Sequence, residues 1–204
     1  MIREEHIEEL IPSSNYGSRE GEEPRLIVIH STRSGKLWTP DEELHSTMNW
    51  FRNPASQRSA HFIVGYEGEW IYCVPWDKEA YHAEELNSYS IGLEFVQPTP
   101  VYEYSDIQIR RGAEATIWLC GLFDIPKRRL ASDFGIVSGI VGHESTDQGQ
   151  GDGKSDPGDL FPWAKFMRLV QGNPVITLGE PDTSGIETAW ARINKAIAVL
   201  EGRE

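Results

Sequence analysis

Two polar residues stand where apolar runs stop, and a third sits in a polar loop. His30 closes Leu26-Ile27-Val28-Ile29, His143 follows Ile140-Val141-Gly142, and Asp156 sits in Lys154-Ser155-Asp156-Pro157-Gly158. Side chains at strand ends are held by a rigid sheet, which is where chemistry is usually placed. Two imidazoles and one carboxylate make the ligand set of a catalytic zinc, with a fourth position left for water. The long separation of His30 from His143 excludes a zinc finger. Spacing alone leaves other readings open. Each histidine also reads as a hydrogen-bonded structural residue, and Asp156 as a turn former, because Asp-Pro-Gly is a good turn sequence.

Other chemistries lack their motifs. Gly149 to Ser155 resembles a phosphate-binding loop, but Gln148 stands where the first glycine is required, and Asp156-Pro157-Gly158 opposes the helix that must follow. No Gly-x-Ser-x-Gly and no His-Glu-x-x-His occurs. Cys73 and Cys120 lie far apart in apolar surroundings and read as reduced core thiols, not a disulfide framework.

The elements that must position these residues are readable from pattern. Arg25–His30 predicts a buried central strand. Thr39-Pro40-Asp41-Glu42 predicts a helix start with a capping box, and Asn53-Pro54 its end. Runs 61–66 and 70–74 around Glu67-Gly68-Glu69 predict a hairpin. Ser90–Val96 predicts another strand, and Ser105–Phe123 a long helix opened by a capping box of Ser105 and Gln108. Phe134–Val141 reads as a strand, Glu144–Gly158 as a Gly- and Asp-rich loop, and Pro162–Val170 as a short helix. Alternating strands and helices imply an α/β domain with a mixed central β-sheet flanked by helices. Its expected span is 25–170, after a loosely held arm at 1–24 and before a linker at 171–184. A C-terminal amphipathic helix is expected at 185–204.

The chain has 204 residues, 39% hydrophobic, with 32 acidic against 19 basic residues and a net charge of −13. That apolar content supports a packed core. The charge opposes phosphate-driven nucleic-acid binding, which needs a basic face. No apolar run approaches the roughly 20 residues of a membrane span, and no secretory h-region opens the chain. Synthesis in the cytoplasm without a signal peptide, and a monomer, are the expectations.

Six short stretches carry a family resemblance: Ile27–Thr32, Ser59–Val64, Ala80–Ala83, Ser90–Glu94, Val141–Glu144 and Lys154–Gly158. In this order they resemble the type 2 N-acetylmuramoyl-L-alanine amidases. That superfamily includes phage lysozyme-like amidases, muropeptide-recycling amidases and peptidoglycan recognition proteins. The resemblance implies the amidase-like fold, a Zn²⁺ cofactor held by His30, His143 and Asp156, and peptidoglycan or muropeptides as partners. It implies Glu94 and Lys154 as catalytic residues, and His61 and His82 as histidines near the substrate groove. Ala60 stands where lysozyme-like members carry a tyrosine, which favours the Glu94 version of the chemistry. Trp76, Tyr81 and Tyr89 lie near the groove in sequence but are expected mainly to pack.

The expected reaction is hydrolysis of the amide between N-acetylmuramic acid and L-alanine. Zinc would polarise the carbonyl and lower the pKa of a water to about 7. Glu94 would move the proton, and Lys154 would stabilise the oxyanion. A wall-lytic, bacteriolytic role of endolysin type, acting on the cell wall after release, is the expected setting. The alternatives are a cytosolic muropeptide-recycling amidase and a non-catalytic recognition module. The presence of Asp156, Glu94 and Lys154 favours an enzyme over the module.

Overall fold

A computed structural model of the chain describes residues 9–132 and 138–172. The expected C-terminal helix, the linker beyond Gly172 and the first part of the expected strand Phe134–Val141 lie outside these residues. So do residues 1–8.

The architecture is mixed α/β. Among the described residues, the strands are β1 (Glu9–Leu10), β2 (Tyr16–Ser18), β3 (Leu26–Ser31), β4 (Phe62–Val64), β5 (Trp70–Tyr72), β6 (Lys78–Ala80), β7 (Ser90–Phe95) and β8 (Gly139–Gly142). The α-helices among them are α1 (Pro40–Arg52), α2 (Asp106–Leu122), α3 (Asp147–Gly151) and α4 (Trp163–Gln171). Six strands form one sheet in the order β1-β5-β4-β7-β3-β8, and β2 pairs with β6 apart from it. β4, β7, β3 and β8 run parallel, while β5 is antiparallel to β4 in the expected hairpin.

The period-two pattern of the central strands sorts their side chains. Ile27, Ile29, Ile91, Leu93 and Phe95 pack with Ile109, Ala113 and Leu119 of α2 and Phe166, Met167 and Val170 of α4. The alternate residues, Val28 and His30 on β3 and Ser90, Gly92 and Glu94 on β7, belong to the opposite face. Beside that face, α1 packs Leu44, Met48 and Phe51 against Ile63, Ile71 and Val96. One side of β7 is therefore core and the other carries polar groups.

Helix α1 forms as its sequence predicts. Thr39 accepts from the Glu42 amide, Glu42 reaches back to the Thr39 amide, and Pro40 opens the first turn. The α2 start differs. Ser105 accepts from the Gln108 amide, but the Gln108 side chain does not close a capping box. It is fully buried, and its Nε2 donates to Val64 O at 3.0 Å and Val96 O at 2.9 Å. Carbonyls at the ends of two core strands outcompete a cap that water could replace.

Residues 9–24 correct the expectation of a loose arm. β1 extends the sheet beside β5, and β2 pairs with β6. Ile11 is buried, and Asn15 Nδ2 contacts Phe51 O, Asn53 O and Arg58 O at 3.0–3.1 Å. Arg19 is buried as well. It donates to the carbonyls of Trp76, Asn87, Ser88 and Ser90. A polar segment is held here because its polar groups satisfy backbone acceptors that would otherwise be orphaned. Arg19→Ala is expected to cost about 3 kcal/mol or more, since each orphaned buried acceptor costs about 1–3 kcal/mol. Urea denaturation measures this, and an unchanged midpoint would show the segment to be dispensable.

The region 144–158 is more ordered than a plain loop. A 3₁₀ turn at His143–Ser145 leads into α3, where buried Thr146 caps the helix by accepting from Gly149 N at 2.9 Å.

Candidate metal centre and active site

The register of the parallel sheet places the polar groups. β3 and β7 pair with His30 opposite Glu94. On the other side of β3, β8 ends with Gly142 opposite Ile29, so His143 emerges beside His30. The two imidazole centroids are 4.4 Å apart.

Asp156 comes from a loop that is tied down at several points. Its carbonyl accepts from Glu144 N at 2.7 Å. Arg33 donates to Pro157 O at 2.6 Å, to the Ser155 carbonyl, and to Gln97 Oε1 at 2.8 Å. Tyr104 Oη lies 2.9 Å from Pro157 O. Gly158 has φ +74°, and a Cβ there would collide with the Arg33 guanidinium. Glycine is required by both the backbone and the clamp.

These ties bring three ligand atoms together. Asp156 Oδ2 lies 3.2 Å from His30 Nδ1 and 3.2 Å from His143 Nδ1. The donor atoms of all three residues fall within 4.8 Å of one another. Neighbouring ligands around a tetrahedral zinc with bonds near 2.0–2.1 Å stand about 3.3 Å apart. The residues present therefore fit a zinc ion in both chemistry and spacing.

The electrostatics suit the same group. Burial opposes ionisation of Asp156, yet its close contacts with the ring nitrogens of His143 and His30 outweigh it and hold the carboxyl below the ordinary range. Burial, reinforced by His143, lowers His30 to about 4. A neutral His30 imidazole beside an ionised carboxylate suits the binding of a metal. Glu94 moves the other way. Burial raises its pKa well above the usual value, with Asp156 and Glu43 adding repulsion.

A cavity of about 640 Å³ opens over these groups. His30, His82, Glu94, His143, Lys154 and Asp156 line it, so six of the seven residues singled out from sequence meet at one place. Lys154 is exposed on the α3–Asp156 loop. His61 is the exception. It is fully buried behind the wall, where Nδ1 accepts from Gly92 N at 3.0 Å and Nε2 lies 3.1 Å from Lys78 O and 2.9 Å from Arg19 Nη2. Its ring lies 5.6 Å from that of His82 without lining the cavity, and both ring nitrogens are taken up by structure.

Residues 20–159 match the profile of the N-acetylmuramoyl-L-alanine amidase family. The chain belongs to that family. Its activity is that of an N-acetylmuramoyl-L-alanine amidase. A relative from Salmonella typhimurium, 1,6-anhydro-N-acetylmuramyl-L-alanine amidase AmpD, is 31% identical over 182 residues, covering 78% of this chain and 88% of its own. A crystal structure of an AmpD selenomethionine derivative aligns with TM-score 0.64 and 26% identity, over 83% of this chain and 99% of the other. A mutant endolysin from Bacillus subtilis aligns with TM-score 0.55 at 18% identity, over 79% and 97%, and shares the fold.

Residues that pattern reading passed over also line the cavity of this amidase. Glu43, Ser46, Thr47 and Trp50 line the cavity from α1, and Trp38 and Arg58 lie on its rim. Glu43 is buried and accepts from Ser34 Oγ at 2.6 Å. The signal was present: positions 43, 46, 47 and 50 recur at helical spacing, a polar stripe beside the apolar one of Leu44, Met48 and Phe51. Of the three aromatics expected mainly to pack, Tyr81 lines the cavity, while Trp76 packs edge-on against Trp118 at 5.5 Å. Both cysteines are buried, and burial raises the Cys120 thiol to about 12.

Proposed function

We propose that the protein is a zinc-dependent amidase that cleaves the bond between 1,6-anhydro-N-acetylmuramic acid and L-alanine in muropeptides. The observation that carries the metal chemistry is Asp156 Oδ2 at 3.2 Å from both His30 Nδ1 and His143 Nδ1, on the sheet face that also carries Glu94. The anhydro substrate is supported by the activity named for the Salmonella typhimurium relative. The wall-lytic role expected from sequence has weaker support, because the endolysin likeness is one of fold.

His30, His143 and Asp156 hold the ion. Bound there, zinc supplies Lewis acidity toward the amide carbonyl and acidifies a water. Glu94 takes the proton from the attacking water and passes it to the leaving nitrogen; its raised pKa suits a group that must hold a proton briefly. Lys154 brings positive charge to the developing oxyanion from an exposed, movable position. Trp50 and Tyr81 offer ring faces to the sugar, and Arg58 offers charge to stem-peptide carboxylates. Such local contacts supply the attraction that a net charge of −13 does not.

Mass spectrometry of digests tests the reading. Anhydro-muropeptides should yield free stem peptide and anhydro sugar, far faster than purified intact wall does. Equal or faster cleavage of intact wall would favour the lytic role and overturn the substrate assignment. Dialysis against a chelator should abolish activity, and one equivalent of zinc should restore it. Activity that survives complete metal removal would refute the zinc reading.

A further inference from the structure

His82 does more than line the cavity. Its Nδ1 lies 3.0 Å from His30 Nε2, and its Nε2 lies 3.2 Å from Ser90 Oγ. Ser90 Oγ in turn lies 2.6 Å from Leu86 O. A backbone carbonyl can only accept, so the single Ser90 proton belongs to that short contact. Ser90 Oγ must then accept from His82 Nε2–H. For a neutral ring, His82 Nδ1 is left as an acceptor, and it takes the proton of His30 Nε2. The chain of contacts thus fixes the tautomer of His30. Its Nε2 carries the hydrogen, and its Nδ1 lone pair faces Asp156 and His143.

The surroundings hold His82 in this place from several directions. Asn87 Oδ1 accepts from the backbone amides of His82 at 3.1 Å and Ala83 at 2.8 Å. The ring stands edge-on to His30, with centroids 5.1 Å apart and planes at 89°. It rests on bare backbone at Gly92, where a Cβ would come within 2.8 Å of His82 Cγ and 2.9 Å of Nδ1. Ser90, Gly92 and Glu94 alternate along one face of β7. One strand therefore supplies the anchor for His82, the seat for its ring, and the carboxylate beside His30. A half-buried imidazole seated on a glycine and bonded at both nitrogens is poorly placed to serve as a substrate contact alone.

We propose that His82 is a positioning residue for metal binding: it orients His30 and sets its tautomer, with Gly92 and Ser90 as its seat and anchor. The inference rests on the reading of His30, His143 and Asp156 as zinc ligands. Partners of this kind hold a metal-bound histidine in its productive orientation, and their loss typically weakens metal affinity or activity about 10–100-fold.

The test is zinc affinity, measured by competition with a chromophoric chelator on the full chain. His82→Ala is expected to bind zinc about 10–100-fold more weakly than the unmodified protein. His82→Gln, which returns an acceptor near His30 Nε2, should recover part of that loss. Gly92→Ala should reproduce the loss with the imidazole still present, by displacing the ring. At saturating zinc, kcat of His82→Ala should recover more than it does at limiting zinc. Zinc affinity unchanged in His82→Ala, with only KM raised, would overturn the proposal in favour of a substrate contact. If His82→Ala does not fold, Ser90→Ala carries the test: weaker zinc binding supports the proposal and unchanged binding overturns it. Absence of zinc binding by the unmodified protein would instead overturn the metal reading itself, so the two failures are distinguishable.

Discussion

His143→Ala is expected to leave a folded protein that holds no zinc at stoichiometric concentration and has lost at least about 10³-fold in turnover. His143 is one of the three proposed protein donors, and its Nδ1 stands 3.2 Å from both carboxylate oxygens of Asp156. Removing it leaves a two-donor site, and affinity collapses because the remaining ligands no longer enclose the ion. Metal-assisted stabilisation of the transition state amounts to several kcal/mol, and each 1.36 kcal/mol is tenfold in rate. The fold should survive, because His143 follows the end of β8 and contributes no apolar side chain to the core around α2 and α4. Metal analysis of the purified variant, read beside its circular dichroism spectrum, gives the answer. A His143→Ala protein that retains one equivalent of zinc would mean that the ion is held elsewhere.

Glu94→Gln should separate binding from turnover. The residue faces the cavity beside His30 but stands outside the group of three donors that approach one another. Zinc content should therefore stay at the unmodified level. Turnover should fall by about 10²–10⁴-fold, the usual contribution of a positioned general acid–base group. KM should change little, since the amide keeps the volume and much of the polarity of the carboxyl. Loss of zinc together with activity would make Glu94 a metal ligand. Full activity would transfer the proton-handling role to another group, with Glu43, the remaining cavity carboxylate outside the three donors, next in line.

Much of this arrangement is legible in the chain itself. Thr39 and Glu42 cap α1 because their side chains and the backbone donors they satisfy lie within one turn. The Gly68 hairpin and the alternation of Ser90, Gly92 and Glu94 with Ile91, Leu93 and Phe95 are likewise local facts. The strands β2 and β6 escaped notice because Tyr16-Gly17-Ser18 and Lys78-Glu79-Ala80 are three residues each, with one apolar residue apiece, too few to show an alternation. Their pairing is stabilised from outside, by Arg19 reaching the carbonyls of Trp76, Asn87, Ser88 and Ser90. Nothing in the types of residues 9–24 announces that a guanidinium will be buried, since arginine is ordinarily an exposed residue.

His30, His61 and His82 show the same division. Sequence places His30, His61 and His82 on or beside short strands and makes each a candidate for chemistry. It cannot tell which ring nitrogen will meet which neighbour. That depends on the register of β7 against β3 and β4, which is set by packing across 60 residues of chain. The register puts His61 behind the sheet face and His82 between Ser90 and His30.

The sequence by itself determined the donor types, the strand ends that carry them, and the alternation that reserves one face of β7 for polar groups. These follow from local periodicity, which acts over a few residues. Only the tertiary structure decided that His30, His143 and Asp156 converge, that residues 9–24 belong to the body of the protein, and that His61 and His82 have different surroundings. Convergence depends on parallel strand order and on a loop clamped by Arg33 and Tyr104, contacts between residues up to 126 positions apart. Interactions at that range are selected by the whole packed core rather than by any segment of the chain.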